Sequence, residues 1–297
     1  MPRLVFVADL HGSLEVYRAA GTLALDEEAD LLVLGGDLCP GAKRVPLRLL
    51  PAAQSEFLLA EIAPLLREWK RRRPTLQVLA IPGNNDFRTV LAALAALERD
   101  GLLWDLHQRV VEVGGVTWAG LAFVPPTPFP IKDFERRDLA AEEPPAANPF
   151  ESVIASPAGV HTLENVREHL AGLPSIEEEL EALDRGQANR RLTVAVMHGP
   201  PFGTACDLLQ GGRHVGSRAV RAWIERRQPR ITLHGHIHES PLVSGAFADR
   251  LGATWVVNPG ADPRTPHLVL LELTDPFRMR HSRFGDLEAG AERTDNS

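Results

Sequence analysis

The sequence is poor in cysteine, with only Cys39 and Cys206 among its 297 residues. So few thiols exclude a disulfide-stapled secreted scaffold and favour the reducing cytoplasm. The sequence also lacks an uninterrupted apolar run of the about 18 residues needed to cross a membrane. The first apolar run, residues 4–8, is followed at once by Asp9 and His11, which indicates a buried strand rather than a signal peptide.

Positive charge is in deficit, because 32 Lys and Arg residues face 39 Asp and Glu residues, for a formal net charge of −7. The chain therefore has no global field that would attract nucleic acid or an anionic membrane surface, and a nuclease is disfavoured. Apolar residues at 44% and charged residues at 24% are typical of a globular protein and exclude wholly disordered and collagen-like chains. We expect one domain over residues 1–285 and a flexible polar tail over 286–297.

Short apolar runs rich in Val, Ile and Leu recur along the chain, each ending in a polar turn. Because they do not alternate with polar residues, they are typical of strands buried on both faces by helices. The runs are residues 4–8, 31–34, 76–81, 192–197, 231–233, 254–257 and 268–273. Apolar residues recur at alternate positions on both sides of Gly114-Gly115, and this pattern predicts a β-hairpin.

Helical periodicity lies between these runs. Apolar residues step by three and four from Phe87 to Leu97 and around Trp223, and Ser175 with Glu178 forms a capping box. Residues 57–72 are also helical in pattern, but Pro64 should kink or split that helix. The fold class is therefore α/β with a sheet-rich core.

Residues 124–160 differ from the rest of the chain, since they are rich in proline and show little periodicity. A loop of this length inside a compact domain is usually functional or disordered. We interpret it as an insertion, or lid, beside the functional site.

Five polar clusters follow predicted strands, at the carboxyl ends where open α/β sheets bind ligands. They are Asp9-Leu10-His11-Gly12, Gly35-Gly36-Asp37, Pro82-Gly83-Asn84-Asn85-Asp86, Met197-His198-Gly199-Pro200-Pro201 and His234-Gly235-His236-Ile237-His238. Singly, most of these are as well explained by turns, and Asp86 is as well explained by an N-terminal helix cap. Together, in this order, they indicate a binding site.

Oxygen donors and imidazoles without thiolates suit divalent first-row metals such as Mn, Fe, Co, Ni or Zn. The seven candidate ligands are Asp9, His11, Asp37, Asn84, His198, His236 and His238. Two four-ligand sites need eight donors, so seven suffice if one carboxylate bridges two cations about 3.5–4 Å apart.

This order of motifs resembles that of the calcineurin-like metallophosphoesterases, whose pattern is D-x-H, G-D, G-N-H-D/E, H and G-H-x-H. The resemblance covers about residues 3–123 and 190–275, and residues 196–203 with His214-Val215-Gly216-Ser217 look like its Icc-related, metallophosphoesterase-domain (MPPED-like) branch. It implies two mixed sheets sandwiched between helices. It also implies a first metal on Asp9, His11, Asp37 and His238, and a second on Asp37, Asn84, His198 and His236, with Asp37 bridging.

The chain departs from this family pattern at Asn85, where the family has a histidine that contacts phosphate and helps to protonate the leaving group. Asparagine can hydrogen-bond a phosphoryl oxygen but cannot deliver a proton in this way. We expect Asn85 to contact substrate and to act catalytically with Asp37 and Asn84.

Three further residues are candidates for substrate binding. His214 lies in the family-like run, and Arg136 and Arg137 lie in the insertion, where a guanidinium could bind phosphate. Solvent-exposed or structural roles are the alternatives for each. His107, His161, His169, His267 and His281 have no partners in sequence and are expected to be surface or structural residues.

The sequence thus predicts a cytoplasmic phosphohydrolase with two divalent metal ions, Mn being favoured for assay, and a small phosphoester substrate. In this interpretation the two ions clamp the phosphoryl oxygens, and a metal-bridging hydroxide attacks phosphorus. A phosphodiesterase is the first choice. The alternatives are a phosphomonoesterase resembling serine-threonine protein phosphatases and a catalytically weak metal-binding scaffold.

Overall fold

The computed structural model describes residues 2–156, 159–185, 193–262, 264–274 and 277–288. Its strands follow the short apolar runs of the sequence. They are β1 (Arg3–Val7), β2 (Leu31–Gly35), β3 (Gln77–Ile81), β4 (Trp104–Asp105), β5 (Arg109–Val113), β6 (Val116–Leu121), β7 (Val153–Ser156), β8 (Gly159–Thr162), β9 (Val194–Met197), β10 (Ile231–Leu233), β11 (Ala248–Leu251), β12 (Thr254–Val257), β13 (Val269–Glu272), β14 (Arg278–His281) and β15 (Gly285–Glu288). All seven predicted runs form strands, although Leu192 itself lies outside the described residues.

Within the described residues the strands form two large mixed sheets and one small hairpin. The first sheet has seven strands in the order β15-β14-β13-β1-β2-β3-β4, and the second has six in the order β11-β12-β10-β9-β6-β5. Strands β1 to β4 run parallel in the first sheet, and β6, β9, β10 and β12 run parallel in the second. Each sheet therefore collects several strand carboxyl ends at one edge.

The described residues also form α-helices, several of which pack on the outer face of one sheet or the other. They are α1 (Leu14–Asp26), α2 (Leu50–Glu56), α3 (Ala63–Arg72), α4 (Val90–Arg99), α5 (Val166–Ala171), α6 (Ile176–Asp184), α7 (Arg218–Arg227) and α8 (Ser240–Ser244). The capping box predicted at Ser175 and Glu178 is present at the start of α6. Gly114 and Gly115 have φ of 62° and 71°, the left-handed conformation that a tight hairpin turn requires.

Alternation along the strands builds the layers. Leu4 and Phe6 of β1 are buried between the two sheets, whereas Val5 and Val7 are buried on the opposite face with α1, α3 and α4. Beyond the second sheet, Trp223 of α7 packs in a third apolar cluster. This arrangement confirms the predicted α/β class with two mixed sheets sandwiched between helices.

The helical stretch Leu47–Arg72 deviates from a regular α-helix where proline was expected to perturb it. A π-helical turn, Phe57–Ile62, separates α2 from α3, and Pro64 lies in the first turn of α3. A residue without an N–H removes a helical hydrogen bond there, which explains the wider turn.

By length and mean composition the helical stretch Leu47–Arg72 also meets the criteria for a membrane-spanning helix, although charged residues such as Glu56 and Glu61 interrupt its apolar sequence. One side of this helical stretch, including Leu58, Ile62 and Leu66, is buried in the core cluster of α1 and β1. A buried core helix satisfies the same criteria of length and composition.

Residues 124–160 contain more regular structure than their composition predicts. The segment includes strand β7 and the start of strand β8. The two strands pair as an antiparallel hairpin, which continues to Thr162. It is anchored to two other segments, because the Asp133 carboxylate accepts a hydrogen bond from the Arg88 amide at 2.8 Å, and Asp138 accepts one from the Arg218 amide at 2.7 Å. The lid role remains a prediction.

Replacing Asp138 by alanine is expected to lower the free energy of unfolding by about 1–3 kcal/mol, because the Ser217 hydroxyl and the Arg218 amide lose a buried acceptor. Denaturant unfolding measures the change. Asp100→Ala, which removes an exposed partner of Arg67, is the control and should cost less than about 1 kcal/mol. Equal costs for the two variants would contradict the anchoring role.

The chain end is ordered further than predicted. Residues 286–288 were expected to belong to a flexible tail, but they complete β15, which pairs antiparallel with β14. The remainder of the predicted tail, residues 289–297, lies outside the described residues.

Candidate metal centre

The five polar clusters meet at the facing carboxyl ends of the two sheets. The first three follow β1, β2 and β3 of one sheet, and the other two follow β9 and β10 of the other. Four residues bring their ligand atoms within 4.8 Å of one another, and they are Asp9, His11, Asp37 and His238. These are the four residues that the family resemblance assigns to the first metal.

Individual distances show how tightly this first group converges. His11 Nε2 lies 3.1 Å from His238 Nε2 and 3.6 Å from Asp37 Oδ2. His238 Nε2 lies 3.4 Å from Asp9 Oδ1. Two carboxylates and two imidazoles therefore point at one small volume.

The second predicted group lies beside the first. Asn84 Oδ1 is 2.7 Å from His236 Nδ1 and 3.2 Å from His198 Nε2. His198 Nε2 is in turn 3.4 Å from Asp37 Oδ1. The two oxygens of Asp37 thus face different groups, which is the arrangement that a bridging carboxylate requires.

The backbone at the site adopts conformations that side chains other than glycine rarely use. Asp9, His11, Asp37 and His236 have φ of 55°, 45°, 50° and 69°. Such left-handed residues cost energy and cluster at functional sites. The turns direct these side chains out of the strand ends and toward one another.

Close packing also requires glycine next to the carboxylate and imidazole. A Cβ at Gly83 would lie 2.3 Å from Asp37 Oδ1 and 2.7 Å from His198 Nε2. Any side chain at this position would displace the groups that form the site.

Asp86 connects two of the loops, which differs from the helix-capping role considered for it. Its buried carboxylate accepts hydrogen bonds from the amides of Leu38, Cys39 and Gly83 at 2.9–3.0 Å. Burial, reinforced by Asp37, raises the pKa of Asp86 to about 7. Asp86 thus joins the loop after β2 to the loop after β3 and fixes Asp37 relative to Asn84.

Further hydrogen bonds orient the candidate ligands. His198 Nδ1 donates to the Gly35 carbonyl at 2.9 Å, which directs Nε2 at the site. The His236 amide donates to both oxygens of Asp9 at 3.0 and 3.1 Å. Asn258 Nδ2 donates to the carbonyls of Gly235 and Ile237 and so supports the last loop from behind.

The electrostatics favour ionised carboxylates. Burial opposes the charge on Asp37, but His198 and His11 outweigh burial and hold the pKa of this carboxyl well below its usual range. Burial likewise opposes a charge on His198, yet Asp37 and Asp9 raise its pKa to about 9. Burial lowers the pKa of His236 to about 3, so that its imidazole is neutral and able to bind a cation.

These observations fit a divalent cation. The carboxylates of Asp9 and Asp37 are 0% and 4% exposed, and among the described residues their ion-pair partners are histidines of the cluster rather than lysine or arginine. Buried charges of this kind are paired or bind metals. The donor set of carboxylate, amide and imidazole atoms suits first-row divalent ions, as the sequence predicted.

Asn85 lies at the site, but its amide faces a candidate ligand. Its Nδ2 is 3.3 Å from His11 Nδ1, and its backbone N–H donates to Asp37 Oδ1 at 2.7 Å. The predicted contact between Asn85 and substrate remains a prediction.

The two arginines of the insertion have partners away from the cluster. The guanidinium of Arg136 stacks on the Phe123 ring, 4.0 Å from its centroid, and that of Arg137 donates to the carbonyls of Ala140 and Leu173. In the described structure neither forms a hydrogen bond or ion pair with the seven candidate ligands. Their phosphate-binding role is therefore not supported by a contact and remains a prediction.

His214 has a partner that the sequence analysis did not identify. Its Nδ1 donates to the carboxylate of Asp207 at 2.7 Å. Asp207 is fully buried and also accepts from the amides of Gly203, Thr204 and Gly216, whereas His214 is 35% exposed. The loop that holds this pair contacts the end of the last motif, since the Leu208 amide donates to Ser240 Oγ at 2.9 Å.

Buried histidines outside the site have structural roles. His107 Nδ1 accepts from the Ala122 amide at 3.1 Å, and its ring packs edge-on against Phe123. His281 donates to the Pro259 carbonyl at 2.9 Å. Burial lowers the pKa of His107 to about 3 and that of His281 to about 4.

We expect His107 to make the free energy of unfolding depend on pH in the acidic range. Because its pKa of about 3 in the folded state lies below the ordinary value of about 6.5, the unfolded chain binds a proton between these pH values and the folded protein does not. Stability is therefore lost as the pH falls below about 6.5. In that window the free energy of unfolding of His107→Asn should fall less steeply with decreasing pH than that of the wild type, by about 1.4 kcal/mol per pH unit.

Urea unfolding of the wild type and His107→Asn from pH 7 to pH 4 measures this slope. The exchange of exposed His161 for asparagine is the matched control for the loss of an imidazole. A slope for His107→Asn that equals that of the wild type would contradict the assignment.

Comparison with known proteins identifies the family. The family model described as calcineurin-like phosphoesterase matches residues 2–240. This match covers more than half of the chain, so the protein belongs to that family. It is a metal-dependent phosphoester hydrolase, whereas membership of the narrower MPPED-like branch remains a prediction.

Solved structures share the fold at low sequence identity. One crystal structure is 18% identical, with a TM-score of 0.62, over 95% of this chain and 99% of the other. The crystal structure of TT1561 of Thermus thermophilus is 20% identical, with a TM-score of 0.57, over 95% of this chain and 99% of its own. No curated protein matches the chain.

Proposed function

We propose that the protein hydrolyses small phosphodiesters at a centre of two divalent cations. The observation that carries the proposal is that the two carboxylate oxygens of Asp37 face different groups of ligands. Oδ2 lies 3.6 Å from His11 Nε2, and Oδ1 lies 3.4 Å from His198 Nε2. When bound, the two cations supply charge that stabilises the phosphoryl oxygens and acidify the attacking water. The sites would be formed by Asp9, His11, Asp37 and His238, and by Asp37, Asn84, His198 and His236.

A diester is the better substrate for the residues around this centre. Within the described structure no lysine or arginine side chain forms an ion pair or hydrogen bond with the seven ligands, and Asn85 is neutral. A dianionic monoester gains more than a monoanionic diester from cationic side chains. That no such group pairs with the ligands in the described structure supports the diester over the monoester, which is the runner-up.

The pair of Asp207 and His214 is our candidate for protonating the leaving oxygen. Asp207 fixes the imidazole with its proton on Nδ1, so that Nε2 is the atom free to exchange a proton with substrate. The loop carrying His214 follows the cluster of His198 along the chain and packs on Ser240 beside the last cluster. In this proposal the pair would supply the acid function that Asn85 cannot provide.

The acidic net charge of −7 supports a small phosphoester rather than nucleic acid. The cysteine-poor composition supports the cytoplasm, and Mn²⁺ is our choice for assay. The insertion would form a wall beside the substrate, since it is anchored at Arg88 and Arg218.

The test compares bis-p-nitrophenyl phosphate, p-nitrophenyl phosphate and cyclic nucleotides as substrates of the Mn²⁺-loaded protein. We expect kcat/KM for the diester to exceed that for the monoester. Faster turnover of the monoester would favour the phosphatase alternative. Absence of turnover with every ester, despite two bound metal equivalents, would favour the scaffold alternative.

A further inference from the structure

Asn85 is held rigidly by its backbone. Its N–H donates to Asp37 Oδ1 at 2.7 Å, and its carbonyl accepts from Gln54 Nε2 at 2.8 Å. Gln54 is fully buried and also accepts from the Phe87 amide at 2.7 Å. The peptide of Asn85 is therefore fixed between the shared carboxylate and the core of the helical stretch Leu47–Arg72.

The side chain of Asn85 is half-buried and lies between His11 and Gly41. Its amide lies 3.3 Å from His11 Nδ1 on one side, and a Cβ at Gly41 would lie 2.7 Å from Asn85 Nδ2 on the other. Among the described residues the amide makes no other hydrogen bond. The position of the amide therefore favours an interaction with His11.

The orientation of His11 determines what that contact does. His11 Nε2 faces the cluster, at 3.1 Å from His238 Nε2 and 3.6 Å from Asp37 Oδ2. A neutral imidazole can present a lone pair on Nε2 only if its proton is on Nδ1, and that proton needs an acceptor. In the structure Nδ2 of Asn85 faces His11 Nδ1, and a rotation of the amide by 180° exchanges the positions of Nδ2 and Oδ1 and places Oδ1 against Nδ1.

We propose that Asn85 is a positioning residue for the first cation, because its carbonyl oxygen accepts the Nδ1 proton of His11 and so keeps Nε2 available as a ligand. The same residue binds the shared carboxylate through its backbone. Asn85 therefore joins two ligands of the centre. The inference depends on the metal centre and not on the class of ester.

The test measures Mn²⁺ binding by isothermal titration calorimetry for the wild type, Asn85→Ala and Asn85→Asp. Loss of a partner that orients a ligand typically weakens metal affinity by about 10–100-fold, so Asn85→Ala should weaken one of the two Mn²⁺ equivalents by that factor. Asn85→Asp keeps an acceptor and should bind within about threefold of the wild type or more tightly. Asn148→Ala, which removes an asparagine from the insertion, is the control.

A second readout reports the proton on His11 directly. In the metal-free proteins, ¹⁵N chemical shifts of the ring should show the proton on Nδ1 in the wild type and Asn85→Asp, and its redistribution to Nε2 in Asn85→Ala. An unchanged tautomer in Asn85→Ala, unchanged Mn²⁺ affinities in that variant, or an Asn85→Asp variant as weak as Asn85→Ala would each overturn the proposal. A wild type that binds no Mn²⁺ would instead overturn the metal centre itself.

Discussion

Replacing Asp37 by alanine is expected to abolish binding of both metal equivalents and to lower kcat/KM for a diester by about 10³-fold or more. The reason is that Asp37 presents one oxygen to each group of candidate ligands. Charge stabilisation by bound cations is worth several kcal/mol in the transition state, and each 1.36 kcal/mol is a factor of about ten in rate. Metal analysis of the purified variant and diester kinetics measure the two effects.

Variants of unshared ligands provide the matched controls. His238→Ala should weaken mainly the first equivalent, and His198→Ala mainly the second. Circular dichroism establishes that the variants are folded. An Asp37→Ala protein that retains two metal equivalents would contradict the bridging assignment, whatever its activity.

Replacing His214 by alanine is expected to have the next largest effect on catalysis. A positioned general acid typically contributes about 10²–10⁴-fold, so kcat/KM for diesters with alkyl leaving groups should fall by a factor in this range. Nitrophenolate departs without a proton, so bis-p-nitrophenyl phosphate should be affected far less. The dependence of rate on leaving-group pKa should therefore be steeper for His214→Ala than for the wild type.

Asp207→Asn separates this role from a structural one. It removes the carboxylate that holds the His214 proton on Nδ1, and it should steepen the same dependence by a smaller amount. Both variants should retain two metal equivalents. Parallel losses for alkyl and nitrophenyl esters would show that His214 does not protonate the leaving group.

Local patterns predicted most of the framework. Unalternated apolar runs indicated the buried strands, and the capping box at Ser175 indicated the start of α6, because burial on two faces and helix capping are properties of contiguous residues. The candidate ligands were predicted because each follows a strand. Parallel strands that end at one edge bring together the clusters of each sheet, and the stacking of the two sheets, which the strand pattern alone does not give, brings the two sets face to face.

Contacts between distant segments were not predictable in this way. The partner of His214 is Asp207, seven residues earlier in an irregular loop, and the position of Asn85 depends on Gln54 and Gly41. Asp86 was predicted as a candidate helix cap. Local sequence cannot show that its carboxylate oxygens instead accept hydrogen bonds from the loop after β2. The hairpin within residues 124–160 lacks the continuous apolar runs of the core strands because it packs against a small satellite cluster.

The most direct measurement titrates chelator-treated protein with Mn²⁺ while the hydrolysis of bis-p-nitrophenyl phosphate is followed. With two cations bridged by Asp37, activity should be absent without metal and should reach its maximum only when the second equivalent is bound. Activity that is independent of metal, or that is complete at one equivalent, would contradict the two-cation centre.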